Sequence, residues 1–231
     1  MENYLVIGGS SGIGKEIVNL LSSQGHKVFA TYNANEMEDT DHVTYKKLDV
    51  MAEELDLSFL PDEVNGIAYC PGSINLKPFN RFKEKDFLED YKLQVLGATK
   101  IIQEILPKLK AVEKSSIVFF STVAVQQGFN FHSQVAMSKG ALEGLTKALS
   151  AEFAPNIRVN AIAPALTQTP LASRLLNSDQ KIKANAEMSP LKELGQPEDI
   201  AEAAVYLLTP KSKWVTGQIF KIDGGMSTVK L

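Results

Sequence analysis

The chain has a single cysteine, Cys70, among 231 residues, so no disulfide can form within it. It also lacks an excess of one charge: 24 Lys and Arg stand against 27 Asp and Glu, with no long run of either sign. That balance makes no electrostatic case for nucleic acid or for an anionic membrane surface. Long hydrophobic runs are missing too. No apolar stretch approaches the ~20 residues that a membrane helix requires, so a soluble protein is expected. Met1, Glu2 and Asn3 lead directly into strand-like residues, without the pattern of a signal peptide. These absences point to a reducing cytoplasm and to partners that are small molecules or proteins. No metal site is expected.

What the chain does have is a 44% hydrophobic content, enough for a substantial core. One domain over 1–231 is favoured over two smaller ones. Tyr4-Leu5-Val6-Ile7 is a short apolar run, followed by a Gly/Ser turn and then by Ile13, Ile17, Leu20 and Leu21 at helical spacing. Strand-like segments recur at 27–31, 43–48, 66–69, 117–120, 157–161 and 218–222, separated by polar or helical stretches. The alternation predicts an α/β fold: a single Rossmann-like, doubly wound parallel sheet of about seven strands, with helices on both faces. The strongest helix candidates are 87–109 and 135–153. A third opens at Pro197-Glu198-Asp199 and places Ile200, Ala203, Ala204 and Leu207 on one face. The segment 166–194 is polar, interrupted by Pro170 and Pro190, and reads as an irregular lid over a binding site.

Gly8-Gly9-Ser10-Ser11-Gly12-Ile13-Gly14 lies between the first strand and the first helix. Glycines there let the backbone turn sharply and approach a pyrophosphate, and a helix N-terminus favours its negative charge. Alone, such a string is also what an ordinary tight turn looks like. Between a strand and an amphipathic helix, it points to dinucleotide binding.

The spacing Gly-x-x-x-Gly-x-Gly, ending in Ser-Gly-Ile-Gly, resembles the short-chain dehydrogenase/reductase family. The resemblance continues through nearly the whole chain. Asn160-Ala161-Ile162-Ala163-Pro164-Ala165 is similar to the family's Asn-x-x-x-Pro-Gly strand end, with alanine in place of the final glycine. Gly195-Gln196-Pro197-Glu198-Asp199-Ile200-Ala201, Val215-Thr216-Gly217-Gln218 and Asp223-Gly224-Gly225 resemble its closing segments. By this resemblance the cofactor would be held by Gly8, Ser10, Ser11, Gly12, Ile13 and Gly14 at the pyrophosphate, and by Asp49 and Val50 at the adenine. Cys70, Pro71 and Gly72 stand in place of the family's Asn-Ala-Gly, and Pro164, Ala165, Thr167 and Thr169 fall near the nicotinamide and pyrophosphate. The choice between NAD and NADP turns on the end of the second strand, where an acid would bind the ribose hydroxyl. Thr31, Tyr32 and Asn33 supply neither acid nor arginine there. Their hydroxyl and amide groups could hold a phosphate, which tilts the expectation towards NADP, or could simply face solvent.

Family members reduce carbonyls with Asn, Ser, Tyr and Lys, and a positioned general acid is worth roughly 10²–10⁴-fold in rate. At the matching positions this chain carries Gln94, Thr122, Val135 and Lys139. Thr122 can still donate a hydrogen bond and Gln94 can still join a water chain, but Val135 can do neither. In the family the lysine ammonium also binds the nicotinamide ribose, so keeping Lys139 is what cofactor binding alone would require. Cys70 has no neighbour that would make it a thiolate and reads as a small buried residue.

His132, seven residues before Lys139, could replace the missing acid. Related enoyl-thioester reductases place a tyrosine there, and imidazole can donate a proton near neutral pH. A histidine at a helix start can equally be a cap or a surface group. Ser133 is the expected N-cap of that helix. Only 34–42 separates the second and third strands, too short for a crossover helix of about ten or more residues, and 49–70 is also lean. A more open adenine end is expected.

Two functions follow from these residues. One is an NAD(P)(H)-dependent oxidoreductase acting on a small ketone, enone or imine with non-standard proton donation, using Lys139, Thr122 and His132 or a bound water to stabilise oxyanion charge. The other is a catalytically silent dinucleotide-binding sensor or inactive subunit. Cofactor-assisted non-redox chemistry is a weaker third. The resemblance further implies a homo-oligomer, a tetramer or dimer built on the two long helices and the C-terminal segment.

Overall fold

Strand signals separated by helical or irregular segments give one parallel sheet in the computed structural model, which describes residues 1–230. The strands are β1 (Asn3–Ile7), β2 (Lys27–Tyr32), β3 (Val43–Lys47), β4 (Gly66–Tyr69), β5 (Ser115–Phe120), β6 (Ile157–Pro164) and β7 (Ile219–Ile222). They pair in the order β3-β2-β1-β4-β5-β6-β7, every pair parallel. The helices are α1 (Gly12–Ser23), α2 (Glu84–Tyr91), α3 (Gly97–Lys110), α4 (Ser133–Glu152), α5 (Asp179–Ala186) and α6 (Pro197–Leu208). The expected seven-stranded, doubly wound sheet is the fold observed. Among the described residues, no helix is long and apolar enough to cross a membrane.

Successive strand side chains point to opposite faces, so each apolar run feeds two cores. Leu5 and Ile7 join Ile67, Tyr69, Ile117 and Phe119 on the face covered by α3 and α4, through Ile101, Ile105, Leu109 and Leu142. Tyr4 and Val6 face the other way with Ala68, Val118 and Phe120, under Ile17 and Leu21 of α1 and Ile200, Ala204 and Leu207 of α6.

Several boundaries move. The 157–161 strand runs on to Pro164, which pairs with Ile222 of β7 as the last residue of β6. The single helix expected over 87–109 is instead α2, a five-residue π-helical segment Lys92–Leu96, and α3. A π segment inserts extra backbone without breaking the apolar periodicity on either side, so no pattern in the residue types betrays it. The stretch 166–194 is less irregular than expected, for it holds a 3-10 turn at Pro170–Ala172 and the helix α5. Ser178, whose hydroxyl accepts from the Lys181 amide, caps that helix. Ser133 is not a cap: His132 takes the N-cap position through its backbone, and the Ser133 hydroxyl is buried without a partner.

No helix forms between β2 and β3 or between β3 and β4. Leu55, Leu57, Phe59, Leu60 and Val64 of the second connection pack on the sheet where a crossover helix would otherwise lie. One face is thereby closed by irregular chain at the edge of the sheet, and the crevice at the C-terminal ends of the strands stays accessible beside it.

Candidate cofactor and active site

The turn after β1 is built for close approach. Gly8 and Gly12 have φ of +77° and +51°, and a Cβ on Gly14 would stand 2.2 Å from the Gly8 carbonyl oxygen. Thr31 at the end of β2 ties the turn down: its hydroxyl accepts from the Gly8 amide at 3.0 Å and its carbonyl from the Gly9 amide at 2.8 Å. Ser11 caps α1 with its backbone only, so the first amides of the helix are left for a ligand. Free amides, a helix N-terminus and space kept by absent side chains suit a pyrophosphate.

These groups border a cavity of about 1360 Å³ at the C-terminal ends of the strands. It is lined by the turn residues Gly8 and 10–14, by Thr31, Tyr32 and Asn33, by Asp49 and Val50, and by Cys70, Pro71 and Gly72. Gln94, Thr122, His132, Val135, Lys139, Pro164, Ala165, Thr167 and Thr169 line it as well. Every candidate cofactor or catalytic residue named from the sequence therefore borders one space, brought there from eight separate segments of the chain.

Their local bonds differ from what residue types alone convey. Thr31 is buried and its hydroxyl is engaged by the turn, so it supports the cradle rather than standing free at the strand end. Tyr32 donates to Glu36 at 3.3 Å, which puts a carboxylate near the β2 end although none occupies the strand terminus itself. Asp49 accepts from the Met51 amide at 2.9 Å, holding the bend after β3. The hydroxyl of Thr167 reaches the Ala165 carbonyl at 3.0 Å, and Thr169 caps the 3-10 turn Pro170–Ala172.

At the reacting end, Thr122 accepts weakly from the Ala124 amide at 3.3 Å and keeps its O–H to donate into the cavity. His132 is half-buried against Phe129, with Nδ1 2.7 Å from the Asn130 carbonyl. A carbonyl only accepts, so Nδ1 carries the proton, and a neutral His132 presents Nε2 as an acceptor; it can donate there only as imidazolium. Lys139 is buried one helical turn after Val135, which is itself only 7% exposed. Burial draws the Lys139 pKa down to about 8, partly offset by Asp90 and Cys70. Cys70 is half-buried at the cavity rather than fully buried as expected; desolvation pushes its thiol up to about 12, against the pull of Lys139, so it is no thiolate.

Three further polar residues surround this centre: Asp90, Ser73 and Ser138. The one sequence signal for them was a charged side chain on the apolar face of the 87–109 pattern, four residues before Gln94. Asp90 is 4% exposed and accepts from Gln94 Nε2 at 2.7 Å, from Ser138 Oγ at 2.6 Å and from Ser73 Oγ.

The profile of a protein family described as enoyl-(acyl carrier protein) reductase matches residues 8–227. The chain belongs to the short-chain dehydrogenase/reductase family. It is 30% identical over 240 residues to a tropinone reductase homolog of Arabidopsis thaliana, covering 96% of this chain and 78% of that one. It is 28% identical to the 3-oxoacyl-[acyl-carrier-protein] reductase FabG of Thermotoga maritima, over 96% of both chains. Among solved structures, a short chain dehydrogenase family protein from Francisella tularensis superposes with a TM-score of 0.90 at 28% identity, covering 99% of this chain and all of the other. ElxO with NADP bound shares the fold, with a TM-score of 0.88 at 23% identity.

Proposed function

We propose that this member of the family is an NAD(P)(H)-dependent oxidoreductase, favouring NADP(H), that acts on a small carbonyl, enone or imine without a tyrosine acid. The observation that carries the reading is the Lys139 ammonium buried at the same cavity as the glycine cradle, which the Thr122 side chain also lines. Gly8, Ser10, Ser11, Gly12, Ile13 and Gly14 would hold the pyrophosphate, Asp49 and Val50 the adenine side, and Thr167 and Thr169 the nicotinamide side. Tyr32 and Asn33 would meet the ribose or its phosphate. A bound nicotinamide supplies the hydride. Thr122 would orient the substrate oxygen or nitrogen by donating its O–H, and Lys139 would stabilise negative charge developing there. His132 as imidazolium, or water held near Gln94, would supply the proton that Val135 cannot. The segment 166–194 would close over the substrate as a lid, and its Leu171, Leu175, Met188 and Leu191 favour an apolar one. A cytoplasmic homotetramer or dimer is the expected form.

Val135 in the cavity lining, where a phenol would stand by family resemblance, favours a second reading: a silent nucleotide-binding sensor or inactive subunit. Steady-state loss of NADPH and NADH absorbance against a panel of ketones, enones and imines separates the two. Turnover that Lys139→Ala abolishes supports the enzyme, and nucleotide binding with no turnover across the panel supports the sensor. Full activity in His132→Ala removes that histidine as the acid. Ketone reduction gained by Val135→Tyr would show that the rest of the site is competent.

A further inference from the structure

Asp90 lies outside the roles assigned so far, yet its environment is that of a working group. It is a buried carboxyl on α2 whose three hydrogen-bond donors come from three different segments: Ser73 after β4, Gln94 in the π segment and Ser138 on α4. Gln94 Nε2 can only donate, so its bond to Asp90 fixes which way the amide faces. The other end of that amide, Oε1, is buried with no hydrogen-bond partner in the protein. A Cβ built on Gly72 would lie 3.4 Å from this Oε1 and 3.6 Å from Lys139 Nζ, so both groups border the same small space, which Gly72 leaves free. An orphaned buried acceptor is costly, so something must hold it there. Asp90 does.

Lys139 makes no ion pair within 4.0 Å among the described residues. Asp90 and Cys70 are the ionisable groups that act on it. From the elements packed on α4, β5 and the 3-10 turn Val123–Val125 offer no ionisable side chain, and β6 offers only Arg158, bonded to Ser212. The π segment's Lys92 and the Glu84, Lys85 and Glu89 of α2 are exposed, Tyr91 is half-buried, and Asp86 is bound to Lys77. Neutral Cys70 leaves Asp90 as the one buried negative charge near the ammonium.

We propose that Asp90 is a positioning residue of this site: a buried anion that keeps the Lys139 ammonium charged and aims Gln94 Oε1 into the space beside it. The role rests on the oxidoreductase reading only for its purpose, not for its physics. Removing the anion leaves a buried lysine opposed by burial alone, and a nearby opposite charge is worth about one pH unit or more.

The test uses full-length protein carrying ¹³Cε-lysine, without nucleotide, with the Lys139 signal assigned by its loss in Lys139→Met. Asp90→Asn is expected to lower the Lys139 titration midpoint by about one pH unit or more, and Asp90→Glu to restore most of it. If turnover is found, the alkaline limb of the pH profile should move down by the same amount and kcat should fall about tenfold or more while KM changes less. An unmoved midpoint in a folded Asp90→Asn protein would overturn the proposal, whatever the activity. A shifted midpoint with no turnover on any substrate would leave Asp90 in its role and sink the oxidoreductase reading instead. Should Asp90→Asn not fold, Asp90→Ser carries the same expectation. Failure of both to fold would assign Asp90 to the scaffold and refute the proposal.

Discussion

At the scale of single residues, Lys139 is costly to keep where it is. Its pKa of about 8 in the folded chain lies below the ordinary lysine value of 10.5. Below pH 8 the lysine is charged in both folded and unfolded states, and the burial penalty is fully present. Between those two values the unfolded chain binds more protons, so the contribution of this group to stability rises with pH. Lys139→Met is therefore expected to be more stable than the parent at pH 7, by at most about 3 kcal/mol from the size of that difference, with the gap closing as pH rises through 8 to 10. Urea unfolding without nucleotide at pH 6.5, 8 and 9.5 measures it. A gap that stays constant across the three would mean that the lysine carries no penalty. A surface lysine has no reason to keep such a destabilising position, and this one borders the cavity beside a glycine cradle.

At the scale of elements, the π segment Lys92–Leu96 and the segment 166–194, proposed as a lid, shape the cavity. Tyr69 at the end of β4 donates to the Leu93 carbonyl at 2.6 Å and so anchors the start of the π turn that presents Gln94. A regular helix would rotate Gln94 relative to Asp90 and Lys139, which is why the spacing of residue types did not foretell where its amide points. The segment 166–194 has two short helical pieces but little of its own buried surface, since only Ala172, Thr167 and Ser189 within it are fully buried. Segments with few buried contacts open at low free energy. If they close over a bound nucleotide, trypsin cleavage after Arg174, Lys181, Lys183 or Lys192 should slow about tenfold or more when NADPH is present. Mass spectrometry of timed digests reads this directly, and equal rates with and without nucleotide would remove the lid from the function.

At the scale of the whole molecule, stability is distributed unevenly across the sheet. β4 and β5 are buried along their whole length and flanked by strands on both sides, whereas β3 is an edge strand with two exposed residues and no crossover helix before or after it. Amide hydrogen exchange should therefore be fastest at β3 and the adjoining 34–42 and 49–64 connections, and slowest by at least about 10³-fold in β4 and β5. Uniform protection across all seven strands would show that the irregular cover is as tight as a helical one. The same edge borders Asp49 and Val50, so the proposed adenine side of the site would share the softness of the short connections.

Much of this molecule is determined by local chemistry that any reader of the residues can follow. Alternating apolar runs dictate the parallel sheet, and Gly8 to Gly14 dictate a cradle, because backbone sterics and burial act over a few positions at a time. The 34–42 connection likewise excluded a crossover helix by its length. Only the tertiary structure decided that Thr31 is spent on holding the turn, that Ser133 is not a cap, and that Asp90 grips Gln94, Ser73 and Ser138. Those outcomes depend on which distant groups share a buried space, and a hydrogen bond between residues 48 positions apart leaves no periodic trace along the chain.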